Sequence, residues 1–128
     1  MKSHLSRNQW VEEVGQVMCM NDRQWMRNGH EHGAALARDL DCTPLYLHYN
    51  SGLPISLNGR RFARLMERLV AQWPVPIERI SVVGHSMGGL VARAALAHKG
   101  AERIARVIQL GTPNRGAFVT VQALRGTY

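Results

Sequence analysis

A serine lies among closely spaced glycines in the stretch ISVVGHSMGGLVARAALAH, residues 80–98. Its core, GHSMG at residues 84–88, fits the pattern G-x-S-x-G, in which the serine can attack a carbonyl carbon. The bare pattern is weak, because a glycine-rich turn without chemistry can produce it by chance. Here β-favouring residues precede it and an alanine-rich run follows, which is the strand-then-helix context that the catalytic motif requires.

The glycines have a steric role in this interpretation. A serine at the apex of a tight turn between a strand and a helix adopts strained backbone angles, and nearby side chains would collide. The helix that follows directs its first amide groups and positive dipole end at the same point. The predicted nucleophile is Ser86, with the Met87 amide as an oxyanion donor worth about 3 kcal/mol. The predicted elbow also contains Gly84, His85, Gly88 and Gly89.

A phosphate-binding loop is the competing interpretation of these glycines. The pattern G-x-x-x-x-G-K-[ST] is absent, and the glycine spacing does not fit G-x-G-x-x-G either. We therefore predict no nucleotide cofactor, and no other cofactor is indicated.

The sequence predicts no metal site. His30 and His32 are two positions apart and cannot share a helix face, and H-E-x-x-H is absent. Cys19 and Cys42 lack C-x-x-C spacing, so we expect free buried thiols.

Hydrophobic periodicity predicts the elements that would position this serine. The pattern of residues 1–20 is ambiguous, and Val11, Val14 and residues 17–20 form a candidate short strand with poor alternation. Strands separated by helices of ten or more residues pair in parallel, so the order predicts a layered α/β sheet. The predicted elements are a helix at 31–40, a strand at 43–50, a loop at 50–59, a helix at 60–73, a buried strand at 80–83, a helix at 87–98 and a buried strand within 103–110.

Length and composition limit the kinds of protein that this sequence can encode. The 128 residues suit one domain, and 45% hydrophobic with 20% charged residues is ordinary for a globular chain. No signal peptide is evident, and no apolar run approaches the ~18 residues needed to cross a bilayer. The sequence predicts a cytoplasmic protein without a transmembrane segment.

The basic charge raises the question of nucleic acid. The net charge is +7 and the isoelectric point is about 10.4. Arg60, Arg61, Arg64 and Arg68 form a local concentration, but they belong to an amphipathic helix, where a solvated polar face is the usual explanation. No zinc-finger or RNA-binding signature accompanies them, so no nucleic-acid partner is predicted.

Several segments resemble serine esterases and lipases of the α/β-hydrolase family. VVGHSMGGLVAR resembles the elbow of lipase-like members, including those similar to GPI inositol-deacylases, and VIQLGTPNRGA resembles their next strand and loop. CMNDRQW, HGAALARDL and TPLYLHYNSGL resemble the region before the elbow in bacterial members. The likeness covers residues 19–128 and leaves 1–18 as a poorly matched segment. It implies hydrolysis of a carboxylic ester of a small molecule or a lipid.

The resemblance also implies a second oxyanion donor upstream of the elbow. In the family that strand ends in His-Gly, whereas here the corresponding residues are Gln16 and Val17. We place the second donor near Met18 or Cys19.

The family's catalytic acid and base follow the serine along the chain. After Ser86 the sequence offers one carboxylate, Glu102, and one histidine, His98, and both are predicted to be helix-end residues facing solvent. His85 is predicted to pack away from the serine, and His48 to lie near the rim of the site. The resemblance thus implies a partial α/β-hydrolase fold that lacks its C-terminal strands.

An alternative from a different class is a truncated or degenerate chain that binds without turnover. A sheet of three or four parallel strands leaves an unpaired edge, which favours self-association.

Overall fold

The computed structural model describes the backbone of residues 10–14 and all of residues 25–117. In chain order the elements are β1 (Trp10–Val14), β2 (Met26–Arg27), β3 (His30–Glu31), α1 (His32–Leu40), β4 (Thr43–Leu47), α2 (Ile55–Gln72), β5 (Ile80–His85), α3 (Met87–Ala95) and β6 (Ile104–Leu110).

Four of the strands form one parallel sheet in the order β4-β1-β5-β6. Every crossover in the part of the chain that the structure describes contains a helix, as parallel pairing requires. The predicted α/β class with a mostly parallel sheet is confirmed. β1 lies centrally, between β4 and β5, although it falls in the poorly matched segment 1–18. The rest of the predicted short strand, residues 17–20, lies outside the described residues.

β5 is the centre of the hydrophobic core. Ile80 and Val82 are fully buried and pack with residues of α2 and α3, and Val83 is buried on the opposite face. An apolar strand covered on both faces was predicted for residues 80–83, and the strand continues to His85. Its carboxyl end therefore reaches the residue before Ser86.

α2 begins earlier than the sequence pattern indicated. We predicted a loop over residues 50–59, which is wrong for its second half, because the helix begins at Ile55. Pro54 precedes the first turn, where its fixed φ and missing N–H are tolerated. The first turns bury Asn58, which is polar, and Gly59, which has no side chain, so the apolar spacing of a buried helix face is absent there.

α2 and α3 pack closely because small residues face each other. A Cβ added at Gly59 would lie 2.6 Å from the Cβ of Ala94 and 3.0 Å from the backbone nitrogen of Ala95. Phe62 and Ala63 bury the next turn of α2 against the core. This contact holds α3, and the turn before it, at a fixed height over the sheet.

α1 covers the other face of the sheet and is capped by Glu31. The Glu31 carboxylate accepts hydrogen bonds from the backbone N–H groups of Gly33 (2.9 Å) and Ala34 (2.6 Å), and the Tyr46 hydroxyl donates to it. The predicted helix over 31–40 is confirmed, with its first residue acting as the cap.

β6 departs from its prediction. We expected a buried strand, but β6 is an edge strand of the sheet that the described residues form, and Arg106, Ile108 and Leu110 are exposed on it. α3 is also shorter than predicted, since Leu96 and His98 form tighter turns with N–H groups bonded to carbonyls three residues earlier. None of the helices among the described residues has the length and apolar character needed to cross a membrane.

Candidate active site

Ser86 has an unusual backbone conformation. It follows β5, precedes α3, and has φ 52° and ψ −125°. A side chain at positive φ costs free energy, on the order of 1–3 kcal/mol for such sparsely populated conformations. In the described part of the chain Asn28 and Asp41 share positive φ, but both belong to types that tolerate it in turns. The strain at Ser86 is therefore specific to the turn between β5 and α3.

Two backbone hydrogen bonds hold this turn. The Ser86 N–H donates to the Leu110 carbonyl at 2.9 Å, and the Gly89 N–H donates to the Ser86 carbonyl at 3.2 Å. The first bond ties the turn to the neighbouring strand, and the second closes the first turn of α3. The Ser86 side chain does not cap the helix.

Gly84 permits the helix to begin directly over the strand. A Cβ at this position would lie 2.6 Å from the Gly89 nitrogen, 2.7 Å from the Gly89 Cα and 2.9 Å from the Gly88 carbonyl carbon. These neighbours are backbone atoms, which cannot rotate away. A side chain at Gly84 would thus force the start of α3 away from β5.

Gly89 permits a close approach from the other side. A Cβ there would collide with the Thr112 hydroxyl oxygen, and it would lie 2.9 Å from both the Cβ and the Cγ2 of Thr112. Thr112 belongs to the loop after β6. This loop therefore rests directly on the first turn of α3.

A chain of side-chain hydrogen bonds fixes the same loop. The Gln109 side-chain amide donates to the backbone carbonyl of Gly89 (2.8 Å), and its Oε1 atom accepts from the Asn114 side-chain amide (3.0 Å). The Arg93 guanidinium donates to Oδ1 of Asn114 (3.1 Å). The loop and α3 thus support the elbow as one unit.

Met87, whose amide is the predicted oxyanion donor, lies directly after Ser86. Met87 is the first residue of α3, where backbone N–H groups have no acceptor within the helix. The positive end of the helix dipole lies at the same point. Met18 and Cys19, the region predicted for the second donor, lie outside the described residues.

The one carboxylate and the one histidine that follow Ser86 lie at the amino ends of the sheet strands, whereas Ser86 lies at their carboxyl ends. β5 and β6 are parallel, with Ile80 beside Ile104 at one end and His85 beside Leu110 at the other. Glu102 precedes β6, and its carboxylate accepts a hydrogen bond from the Gly100 N–H at 2.9 Å. His98 follows the far end of α3. Neither residue is therefore at the carboxyl end of the sheet, where Ser86 lies.

His85 and His48 lie at the carboxyl ends of their strands, the end of the sheet at which Ser86 also lies. The His85 ring meets the Trp25 ring edge to face, with centroids 6.3 Å apart. Its Nδ1 atom is buried and has no hydrogen-bond partner among the described residues. His48 is exposed after β4, and β1 lies between β4 and β5. Within the described ranges, no histidine or carboxylate is hydrogen-bonded to the Ser86 hydroxyl.

The rings of His30 and His32 meet, with centroids 4.8 Å apart. They come together at the junction of β3 and α1, an arrangement that their spacing along the chain did not suggest. The described residues contain no group of three side chains that could hold a metal ion.

Two residues that support the elbow, at the end of β6 and in the loop after it, were not predicted from the sequence. Gln109 is the one polar residue in the apolar run VIQL, and Thr112 follows Gly111 directly. The polar interruption of an apolar strand was a signal for a buried contact. The pairing of Thr112 with Gly89 had no signal in the spacing, because it depends on how the loop folds back.

A parallel α/β sheet with a strained serine turn at the carboxyl end of a central strand defines an α/β-hydrolase-like domain. Comparison with protein families gives the same class. The model of the PGAP1-like alpha/beta domain family matches residues 60–127, which is more than half of the chain, and the chain belongs to this family. The matched span contains β5, the elbow, α3 and β6. No curated protein matches the chain significantly.

The contact between Gly89 and Thr112 generates a testable prediction. We expect Gly89→Ala to lower the free energy of unfolding by about 1–3 kcal/mol, as overpacking of a tight site does. In a Thr112→Gly background the same substitution should cost clearly less, because the three atoms nearest to the added Cβ belong to the Thr112 side chain. Urea unfolding of the four proteins measures this coupling.

Gly84→Ala is the matched control, since the atoms that it would meet belong to the backbone. Its cost should be the same with Thr112 or with glycine at position 112. An equal cost of Gly89→Ala in both backgrounds would show that the loop does not rest on α3 as described.

Proposed function

We propose that the chain is a serine hydrolase of the esterase or lipase type, in which Ser86 attacks the carbonyl carbon of a carboxylic ester. The observation that carries this proposal is the positive φ of Ser86 at the carboxyl end of β5, between glycines that leave no room for side chains. A fold retains strain of this kind where the surrounding contacts impose it, and such positions cluster at active sites.

The proposed reaction is acyl transfer in two stages. The Ser86 oxygen forms a bond to the carbonyl carbon, and the carbonyl oxygen becomes a tetrahedral oxyanion that the Met87 N–H stabilises, with a second donor near Met18 or Cys19. The intermediate then expels the alcohol and leaves an acyl-serine, which water hydrolyses to the free acid. The alcohol needs a proton as it leaves, and the serine must lose one as it attacks.

A general base is the component that the described residues do not supply. A serine hydroxyl is a weak nucleophile near neutral pH, and removing the base leaves only ~10³–10⁴-fold catalysis over water in comparable enzymes. In this proposal the proton is taken by a histidine that the sequence does not identify. With the described residues alone, we expect weak or no turnover.

The substrate proposed is an ester of a small molecule or a lipid. Support comes from the membership of a hydrolase-like family and from the resemblance of VVGHSMGGLVAR to lipase-like elbows. The lipase-like branch, the partial extent of the domain and a cytoplasmic location remain parts of the proposal.

Covalent labelling tests the proposed nucleophile without requiring turnover. We expect a fluorophosphonate probe to label the wild-type chain, and Ser86→Ala to remove the label. Ser56→Ala is the matched control, because Ser56 is exposed on α2 and should leave labelling unchanged. Gel fluorescence with mass spectrometry of the labelled peptide measures the result, and an activated-ester assay follows turnover in parallel.

Two outcomes would overturn the nucleophile. One is labelling that persists in Ser86→Ala. The other is a folded wild-type chain that neither reacts with the probe nor hydrolyses the ester.

A specific observation supports the predicted self-association of the chain. β6 is an edge strand, and Ile108 and Leu110 are 43% and 42% exposed on it. An apolar edge with unpaired backbone groups is a template for pairing with another strand. We propose that two copies of the chain associate through β6.

Substitution on β6 tests this association. We expect the wild-type mass measured by light scattering to rise above that of a monomer with concentration, and Ile108→Lys to suppress the rise, because edge lysines oppose pairing. Leu96→Lys is the control, since Leu96 is 48% exposed just after α3 and away from the edge. A monomeric wild type, or equal suppression by both variants, would contradict the proposal.

A further inference from the structure

α2 presents three arginines to a pocket of about 450 Å³ that lies between this helix and the residues after β4. Arg61, Arg64 and Arg68 follow each other at helical spacing, so they share one face of α2. At ~1.5 Å rise per residue they span roughly 10 Å of the helix. The pocket therefore has one wall with three positive charges.

The opposite wall of the pocket consists of residues that pack against the core and of a hydrogen-bonded loop. Leu47 and Tyr49 line it and pack against the core. Asn58, which is buried, donates from its amide to the Asn50 carbonyl at 2.9 Å and also approaches the Leu53 carbonyl at 3.4 Å. These bonds fix the loop between β4 and α2 on the helix, and with it the shape of the pocket.

The positive charge in the pocket is not balanced by acidic groups that the structure describes. The ion pair of Arg38 with Asp39 is on α1, and neither of these residues lines the pocket. The residues lining the pocket include no carboxylate. Guanidinium groups match the geometry of phosphate and carboxylate oxygens with paired N–H donors.

A neutral donor and an apolar floor complete the pocket. The Tyr49 hydroxyl is buried and has no hydrogen-bond partner among the residues in view. Burial raises the pKa of Tyr49 to about 12, so the hydroxyl keeps its proton at neutral pH. Phe62 and Leu65 supply apolar surface.

We propose that this pocket binds a phosphate monoester, either on a soluble metabolite or as the headgroup of a lipid. Three guanidinium groups with no facing carboxylate favour a dianion with several oxygens over a single carboxylate. None of the elbow residues lines the pocket, so this inference is independent of whether Ser86 is a nucleophile.

The test compares two triple variants that lose the same charge. Arg61→Gln/Arg64→Gln/Arg68→Gln removes the arginines of the pocket, and Arg60→Gln/Arg103→Gln/Arg106→Gln removes three exposed arginines that do not line it. Calorimetry with inorganic phosphate measures the soluble arm. Flotation with phosphatidylcholine vesicles, with and without phosphatidic acid, measures the lipid arm.

We expect wild type and the control triple to bind in at least one arm, and the pocket triple to bind about tenfold or more weakly. Binding to phosphate without binding to vesicles identifies a soluble ligand. Binding to phosphatidic acid vesicles that phosphate displaces identifies a lipid headgroup. Equal weakening in both triples, or no binding by wild type in either arm, would overturn the proposal.

Discussion

The structure depends on one steric constraint, which is the absence of side chains where β5 meets α3. A Cβ at Gly84 would come within 3 Å of three backbone atoms in the first turn of α3. Without that Cβ the helix starts directly above the strand, and the chain must reverse its direction within one residue. Ser86 is that residue, and its positive φ is the consequence.

The rest of the fold keeps the constraint in place. β5 is buried on both faces, so its carboxyl end is rigid. α2 holds α3 through the close contact of Gly59 with Ala94, and the loop after β6 presses on Gly89 through Thr112. The burial of β5 and these two contacts therefore oppose relaxation of the turn, which explains how a strained serine persists here. The same turn places the Met87 amide in the first turn of α3, at the positive end of the helix dipole.

The sequence predicted those parts of the molecule that depend on local pattern. The alternation of strands and helices gave the parallel sheet, and glycines around Ser86 gave the turn between β5 and α3. The start of α2 was misplaced because its buried positions Asn58 and Gly59 carry no apolar side chain, and hydrophobic periodicity detects only apolar side chains. β6 was misjudged because an apolar strand has the same pattern at the edge of a sheet as at its centre. The contacts of Thr112, like the arginine pocket on α2, depend on how distant segments meet.

The strain at Ser86 can be measured directly by comparing Ser86→Gly with Ser86→Ala in urea unfolding. Glycine adopts positive φ without a steric penalty, so the glycine variant should be the more stable of the two by about 1 kcal/mol. At Arg60, an exposed position inside α2, replacement by glycine or alanine should show the opposite order, because alanine is favoured over glycine in a helix interior by about 1 kcal/mol. If Ser86→Ala is instead at least as stable as Ser86→Gly, the serine is not held in a strained turn, and the account of this site is wrong.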